Sequence, residues 1–201
     1  MKLLALEVFF KDPATTKVTQ LYAAHDLSTF SFFQRSSAKE FMNFTSKIIA
    51  ERTSMGSRAS VKEQEYVCHV YVQSDGLSAV VIGDHEYPQR VAHSFINKVL
   101  DEFTQLNPPT KWKSAPAGGL QFPNGETLLA NYQNPRESDA LSRVQADVDE
   151  TKVILHQTLE AMLNRGEKLD DLVRTSDNLS AQSKAFYTTA RKANSCSCVI
   201  L

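Results

Sequence analysis

Between Asp139 and Ala193, apolar or small residues recur at alternating steps of three and four. The series runs Leu141, Val144, Val148, Thr151, Leu155, Thr158, Met162, then Leu169, Leu172, Ser176, Leu179, Ser183, Phe186, Ala190 and Ala193. A mean step of three and a half keeps these side chains on one narrow seam, the pattern of a supercoiled helix. Residues between the seam members are mostly charged or polar, among them Asp147, Glu150, Lys168 and Asp171. At about 1.5 Å per residue, the spacing predicts a helical rod of roughly 80 Å. No ordinary domain core could hold such a rod, so the seam demands partner helices.

One position breaks the series. Arg165 falls where a seam residue is due, three after Met162 and four before Leu169. A charge in a coiled-coil core is costly unless it is satisfied, and its best-attested use is to fix register. The guanidinium has five donors and no acceptor, so partners must supply oxygens. Gly166 follows, removing side-chain bulk beside it.

With Arg165 at its centre, the run from Leu141 to Glu150 followed by Met162 to Leu172 resembles an R-SNARE core motif of the synaptobrevin class. The resemblance implies a four-helix bundle in which Arg165 occupies the zero layer and meets Gln side chains from three Gln-SNARE helices. It implies that this assembly drives membrane fusion, with no catalytic residue and no cofactor.

The 201 residues carry a net charge of −1 and are 42% hydrophobic, enough for one domain plus an extension. Near-neutral charge argues against nucleic acid as a partner. The N-terminal run acquires Glu7 and Lys11-Asp12 before an apolar region of signal-peptide length accumulates. No apolar stretch approaches the roughly 20 residues that span a bilayer. A cytosolic-side protein with three unpaired cysteines is expected.

Lys2 to Phe10 alternates, with Leu4, Leu6, Val8 and Phe10 on one face, and predicts a strand; Val18 to Ala24 predicts its partner. Ser37-Ala-Lys-Glu40 has capping-box spacing and opens a helix with a stripe of Ala38, Phe41, Met42, Thr45, Ile48 and Ile49. Phe44 falls on the shoulder of that stripe. Three further strands are read at Arg58–Glu63, Tyr66–Val72 and Leu77–Ile82, and a strongly apolar helix after Pro88. That order suits an α+β domain over residues 1–106: a five-stranded antiparallel sheet with helices on its faces. The Pro- and Gly-rich stretch 107–137 reads as a linker with one possible short helix, ahead of the coiled coil at 138–195.

The domain order, with the words Phe30-Ser-Phe-Phe-Gln-Arg-Ser36 and Tyr132-Gln-Asn-Pro-Arg-Glu137, resembles the profilin-like longin domain of the prenylated R-SNARE subgroup. The resemblance implies work at Golgi, endosomal and vacuolar or lysosomal membranes, with a soluble cytosolic pool. It also implies an intramolecular longin–SNARE contact through a groove around Phe44 and Ile48. At 196–201, Cys198-Val-Ile-Leu201 has the form of a prenylation box, and Leu201 favours geranylgeranyl where the subgroup commonly carries farnesyl. One isoprenoid binds membranes only marginally, so a second anchor is expected, and Cys196 is the candidate for palmitoylation. Five scattered histidines lack metal-ligand spacing, and Cys68 reads as a core residue. The rival reading is a lipid-anchored adaptor or tether with a passive coiled coil, which would leave Arg165 without a purpose.

Overall fold

The computed structural model describes residues 1–63, 65–135 and 152–195. Strands β1 (Leu3–Lys11), β2 (Val18–His25), β3 (Ser57–Glu63), β4 (Tyr66–Val72) and β5 (Leu77–Asp84) form the expected antiparallel set. A sixth strand joins them. β6 (Val153–His156), from within the seam, lies parallel to β3 and gives the order β2-β1-β5-β4-β3-β6. The sheet is therefore mixed, where an antiparallel sheet of five was expected.

Both faces are covered, so β1 is buried along its whole length. A register shift between Leu3 and Ala5 sends Leu4 and Leu6 to opposite faces, against the strict alternation read from sequence. On one face, α2 (Gln89–Leu106) packs Val91, Phe95, Ile96, Val99 and Phe103 against Leu6, Val8 and Val81. The stretch read as a linker belongs to this same core. Short helices α3 (Pro109–Trp112) and α4 (Gly125–Asn131) bring in Trp112, Phe122, Leu128 and Leu129, and Tyr132 stacks on Phe95 at 4.4 Å between centroids. Proline and glycine here shape turns between anchoring aromatics, which composition alone could not distinguish from a linker.

The other face is covered by α1 (Arg35–Arg52). The expected capping box is not formed: the cap lies three residues earlier, at Gln34, which makes no side-chain bond, and Ser37 is buried. At the far end the buried Lys11 ammonium donates to the carbonyls of Glu51 at 2.8 Å and Thr53 at 2.6 Å, a cation where the helix dipole wants one. Glu7, fully buried, accepts from Gln20 of β2 and Ser46 of α1 and so ties three elements together.

Behind α2, Ser60 lies 2.9 Å from His69 Nδ1 and 3.1 Å from His93 Nε2. Ser60 has one proton, so it donates to one ring and accepts from the other. Burial pushes His69 down to about 4; burial, then its neighbours His69 and Arg58, push His93 down to about 3. An unfolded chain takes up these protons near pH 6.5 and the folded one does not, so stability is full above that pH and falls as pH drops toward 4. From pH 7.5 to 4.5 the pair should cost the fold about 2 kcal/mol or more. Urea unfolding across this range should show a steeper loss for the native chain than for His93→Phe.

Candidate functional site

The functional surface is the face where α1 and the β3 edge receive the C-terminal segment. That segment is not one helix in the free chain. After β6 come a single 3₁₀ turn (Leu159–Met162), α5 (Leu169–Thr175) and α6 (Ala181–Ser195). Over residues 152–195 the expected continuous rod is thus replaced by four short elements wrapped on the domain. The physical reason is the missing partners. A lone amphipathic helix gains little in water, whereas docking buries its apolar side chains at about 1.5–3 kcal/mol each.

Leu159, Leu169, Val173, Leu179 and Tyr187 are buried in the cluster built by Met42, Ile48, Ile49, Ala59 and Val61. Of the seam positions, Leu169, Leu179 and Ser183 are buried here, while Met162, Leu172, Ser176, Phe186 and Ala190 are half-buried. Leu155 and Thr158 stay exposed; Thr158 caps the 3₁₀ turn by accepting from the Ala161 N–H. Leu159, Val173 and Tyr187 lie off the seam and are recruited because breaking the helix turns other faces inward. Leu141, Val144, Val148, Thr151, Cys196 and Cys198 lie outside the described residues; Ala193 belongs to α6.

Arg165 is exposed, in the turn closed by the Glu167 N–H on the Asn164 carbonyl at 3.0 Å. Gly166 there has φ +92°, a conformation costing an L side chain roughly 1–2 kcal/mol. A Cβ would meet nothing, so the cost is backbone strain alone. Gly166→Ala should destabilise the wrapped state by this strain and gain about 1 kcal/mol in a helix. A shift of about 2 kcal/mol, or roughly thirtyfold, toward the extended helix is expected. Circular dichroism on mixing with partner helices, and hydrogen exchange without them, would measure it.

Polar contacts lock the wrap at several points. Arg52 Nη2 reaches both Glu167 oxygens at 2.9 Å. The Asn164 N–H, above all, then Arg52 hold the Glu167 carboxyl below its ordinary range. Glu40 of α1 sits at the N-terminus of α6, accepting from the Ser180 N–H at 2.9 Å and the Ser183 hydroxyl at 2.7 Å, which lower its pKa. A carboxylate at that helix end is also favoured by the dipole. Tyr187 donates to Asp170 at 2.9 Å, and Arg191 pairs with Asp170 and donates to Tyr187. Burial, then Asp170, pushes the Tyr187 phenol up to about 12, so it stays a donor.

Phe41 makes a ring contact with the docked segment, stacking on Tyr187 at 5.2 Å. Phe44 is half-buried, 6.3 Å from Phe41, and lines a shallow cleft that Asn178 borders; Ile48 is buried in the core. Between α1, the β4–β5 floor and α6 lies an apolar cavity of about 300 Å³, lined by Phe30, Met42, Cys68, Ile82, Phe186 and Ala190. Burial pushes the Cys68 thiol up to about 12, making it an inert wall. Among the described residues no group of three metal-binding side chains occurs, and no helix is long and apolar enough to cross a membrane.

Sequence reading missed Phe41, Glu40, Tyr187 and the Arg52–Glu167 pair. Signals existed: β-branched Val153-Ile154, the Asn164-Arg-Gly turn word, and Ser180 before a helical run.

The regulated-SNARE-like, or longin, domain model matches residues 27–128 and the synaptobrevin model residues 140–199. The chain is 53% identical to "Synaptobrevin homolog ykt6" of Schizosaccharomyces pombe, with 100% of each covered. It is 46% identical to "Synaptobrevin homolog YKT6" of Eremothecium gossypii and 44% to that of Debaryomyces hansenii, each over 92% of this chain and 93% of the relative. The chain therefore belongs to the synaptobrevin homologues with a longin domain, a non-enzymatic family of R-SNAREs that serve membrane trafficking.

Proposed function

We propose that this R-SNARE is a lipid-anchored fusion protein stored closed by its own longin domain. Burial of the seam residues Leu169 and Leu179 on the α1 face carries the reading, since side chains occupied there cannot enter a bundle. In the open form the seam over 138–195 zips with three Gln-SNARE helices, and Arg165 sets register in the zero layer. The cofactor-free driving force is burial of the seam layers, offset by the ordering of the segment.

Cys198 takes an isoprenoid and Cys196 a palmitoyl chain, the two signals a stable anchor needs. When Cys196 is unacylated, the isoprenoid folds back into the cavity beside Phe186 and Ala190, whose volume falls at the small end of ligand sites. The protein then divides between cytosol and the cytoplasmic face of Golgi, endosomal and vacuolar membranes.

Fractionation tests the anchor. Cys198→Ser should move the protein wholly to cytosol, whereas Cys196→Ser should leave a weak, exchanging membrane pool. Two identical distributions would contradict the order of the two modifications. Mixing residues 138–195 with Gln-SNARE helices should give a cooperative rise in helicity that the full closed chain shows only slowly. Equal rates for both would remove the storage role.

A further inference from the structure

The loop from Leu27 to Gln34, between β2 and α1, carries three phenylalanines with two fates. Phe30 turns inward to the apolar cavity. Phe32 and Phe33 are 79% and 83% exposed, edge to face with ring centroids 5.7 Å apart. Scattered exposed apolar residues need no explanation, but two adjacent large aromatics at a loop apex form a contiguous apolar patch.

The loop holds this pair out. The Phe30 N–H bonds the Leu27 carbonyl at 3.1 Å, the Gln34 N–H bonds that of Ser31 at 2.9 Å, and Arg35 Nε donates to the Phe30 carbonyl at 3.2 Å. The surroundings are basic. Arg35 and Lys39 are exposed, and residues 27–39 contain no acid. The flanking acids are engaged: Asp26 pairs with Lys2 at 3.3 Å, and Glu40 accepts from Ser180 and Ser183.

We propose that Phe32 and Phe33 insert into the interface of an anionic bilayer, with Arg35 and Lys39 against its headgroups. The shape favours lipid over protein, because a protruding pair of rings suits a medium that parts around it. The charge fits as well, since anionic leaflets attract exposed Lys and Arg near the surface. The site is separate in sequence from the seam and from Cys196 and Cys198. It is also open to the described part of the docked C-terminal segment, from which Gln182 bonds the backbone carbonyl of Phe33 at 3.5 Å and leaves both rings exposed.

The test uses the full chain with Cys196→Ser and Cys198→Ser, so that no lipid can be attached. Co-sedimentation with phosphatidylcholine vesicles, with and without phosphatidylserine, should show weak binding to the anionic vesicles that salt reduces. Phe32→Ser with Phe33→Ser should weaken it about tenfold or more, and Arg35→Gln with Lys39→Gln should remove the preference for phosphatidylserine. All four side chains are exposed, so far-UV spectra should match the parent. In Phe33→Trp, brominated lipid should quench the introduced indole, with buried Trp112 giving a constant background. The proposal is overturned if the double serine variant binds like its parent, if the introduced indole escapes quenching, or if the parent ignores anionic vesicles at millimolar lipid.

Discussion

Phe41→Glu is expected to release the C-terminal segment from the longin face. The substitution removes the ring stacked on Tyr187 and the apolar contact behind it, and it places a carboxylate in a cavity already lined by Glu63 and Glu65. Lost stacking and burial, with the cost of a part-buried unpaired charge, should total on the order of 3–5 kcal/mol. Each 1.4 kcal/mol is a factor of ten, so the open fraction should rise a hundredfold or more. Hydrogen exchange should accelerate across residues 153–191 and in the β3 amides that face β6, and stay unchanged in β1, β2, β4 and β5. Phe44→Glu should do the same more weakly, because Phe44 is half-buried beside the cleft that Asn178 borders, whereas Phe41 stacks on Tyr187. Unchanged protection in Phe41→Glu would show that the wrap does not depend on the α1 ring.

Arg165→Gln should have the opposite profile. The side chain is exposed and bears no load in the closed form, so unfolding and exchange of the free chain should match wild type. In the bundle proposed above, a fourth Gln would replace the cation that donates to three carbonyls, at a cost of about 1.5–3 kcal/mol per charged hydrogen bond lost. Helix assembly with Gln-SNARE segments should weaken at least tenfold. Leu169→Ala completes the comparison. It removes a side chain buried in the closed form and due in a bundle layer, so both states should lose about 2–5 kcal/mol and their balance should move less than either. Assembly by Arg165→Gln as tight as wild type would remove the zero layer from the mechanism.

Much of the domain was legible because its signals are local. The β-rich run of β1 and the apolar stripe of α2 each announce themselves within a few residues. The Trp112 to Tyr132 stretch was not, because its burial depends on what α2 and β1 present across the sheet. The seam shows a deeper limit. Its heptads describe the state with partner helices, and the wrapped state uses the same residues with other faces inward. On the proposed reading Leu169 serves both and Arg165 only the first, while Leu159 and Tyr187 are buried in the second. A periodicity search finds the stronger repeat and is blind to the alternative, whose signals are a glycine, a serine cap and two β-branched residues.

The Asn164–Glu167 turn also bears on how the molecule returns after use. A chain freed from a bundle has to find its way back to the domain, and most of the contacts it needs lie a hundred or more residues away in sequence. The turn closes four residues and needs no distant partner. Loops of about ten residues close in roughly 10–100 ns, far ahead of any docking step. Its first product is the bend that sets Glu167 toward Arg52, while the extended arm is still searching. Gly166 thus makes re-closure begin locally, and recycling should be quick for a segment that would otherwise have to unlearn a long helix.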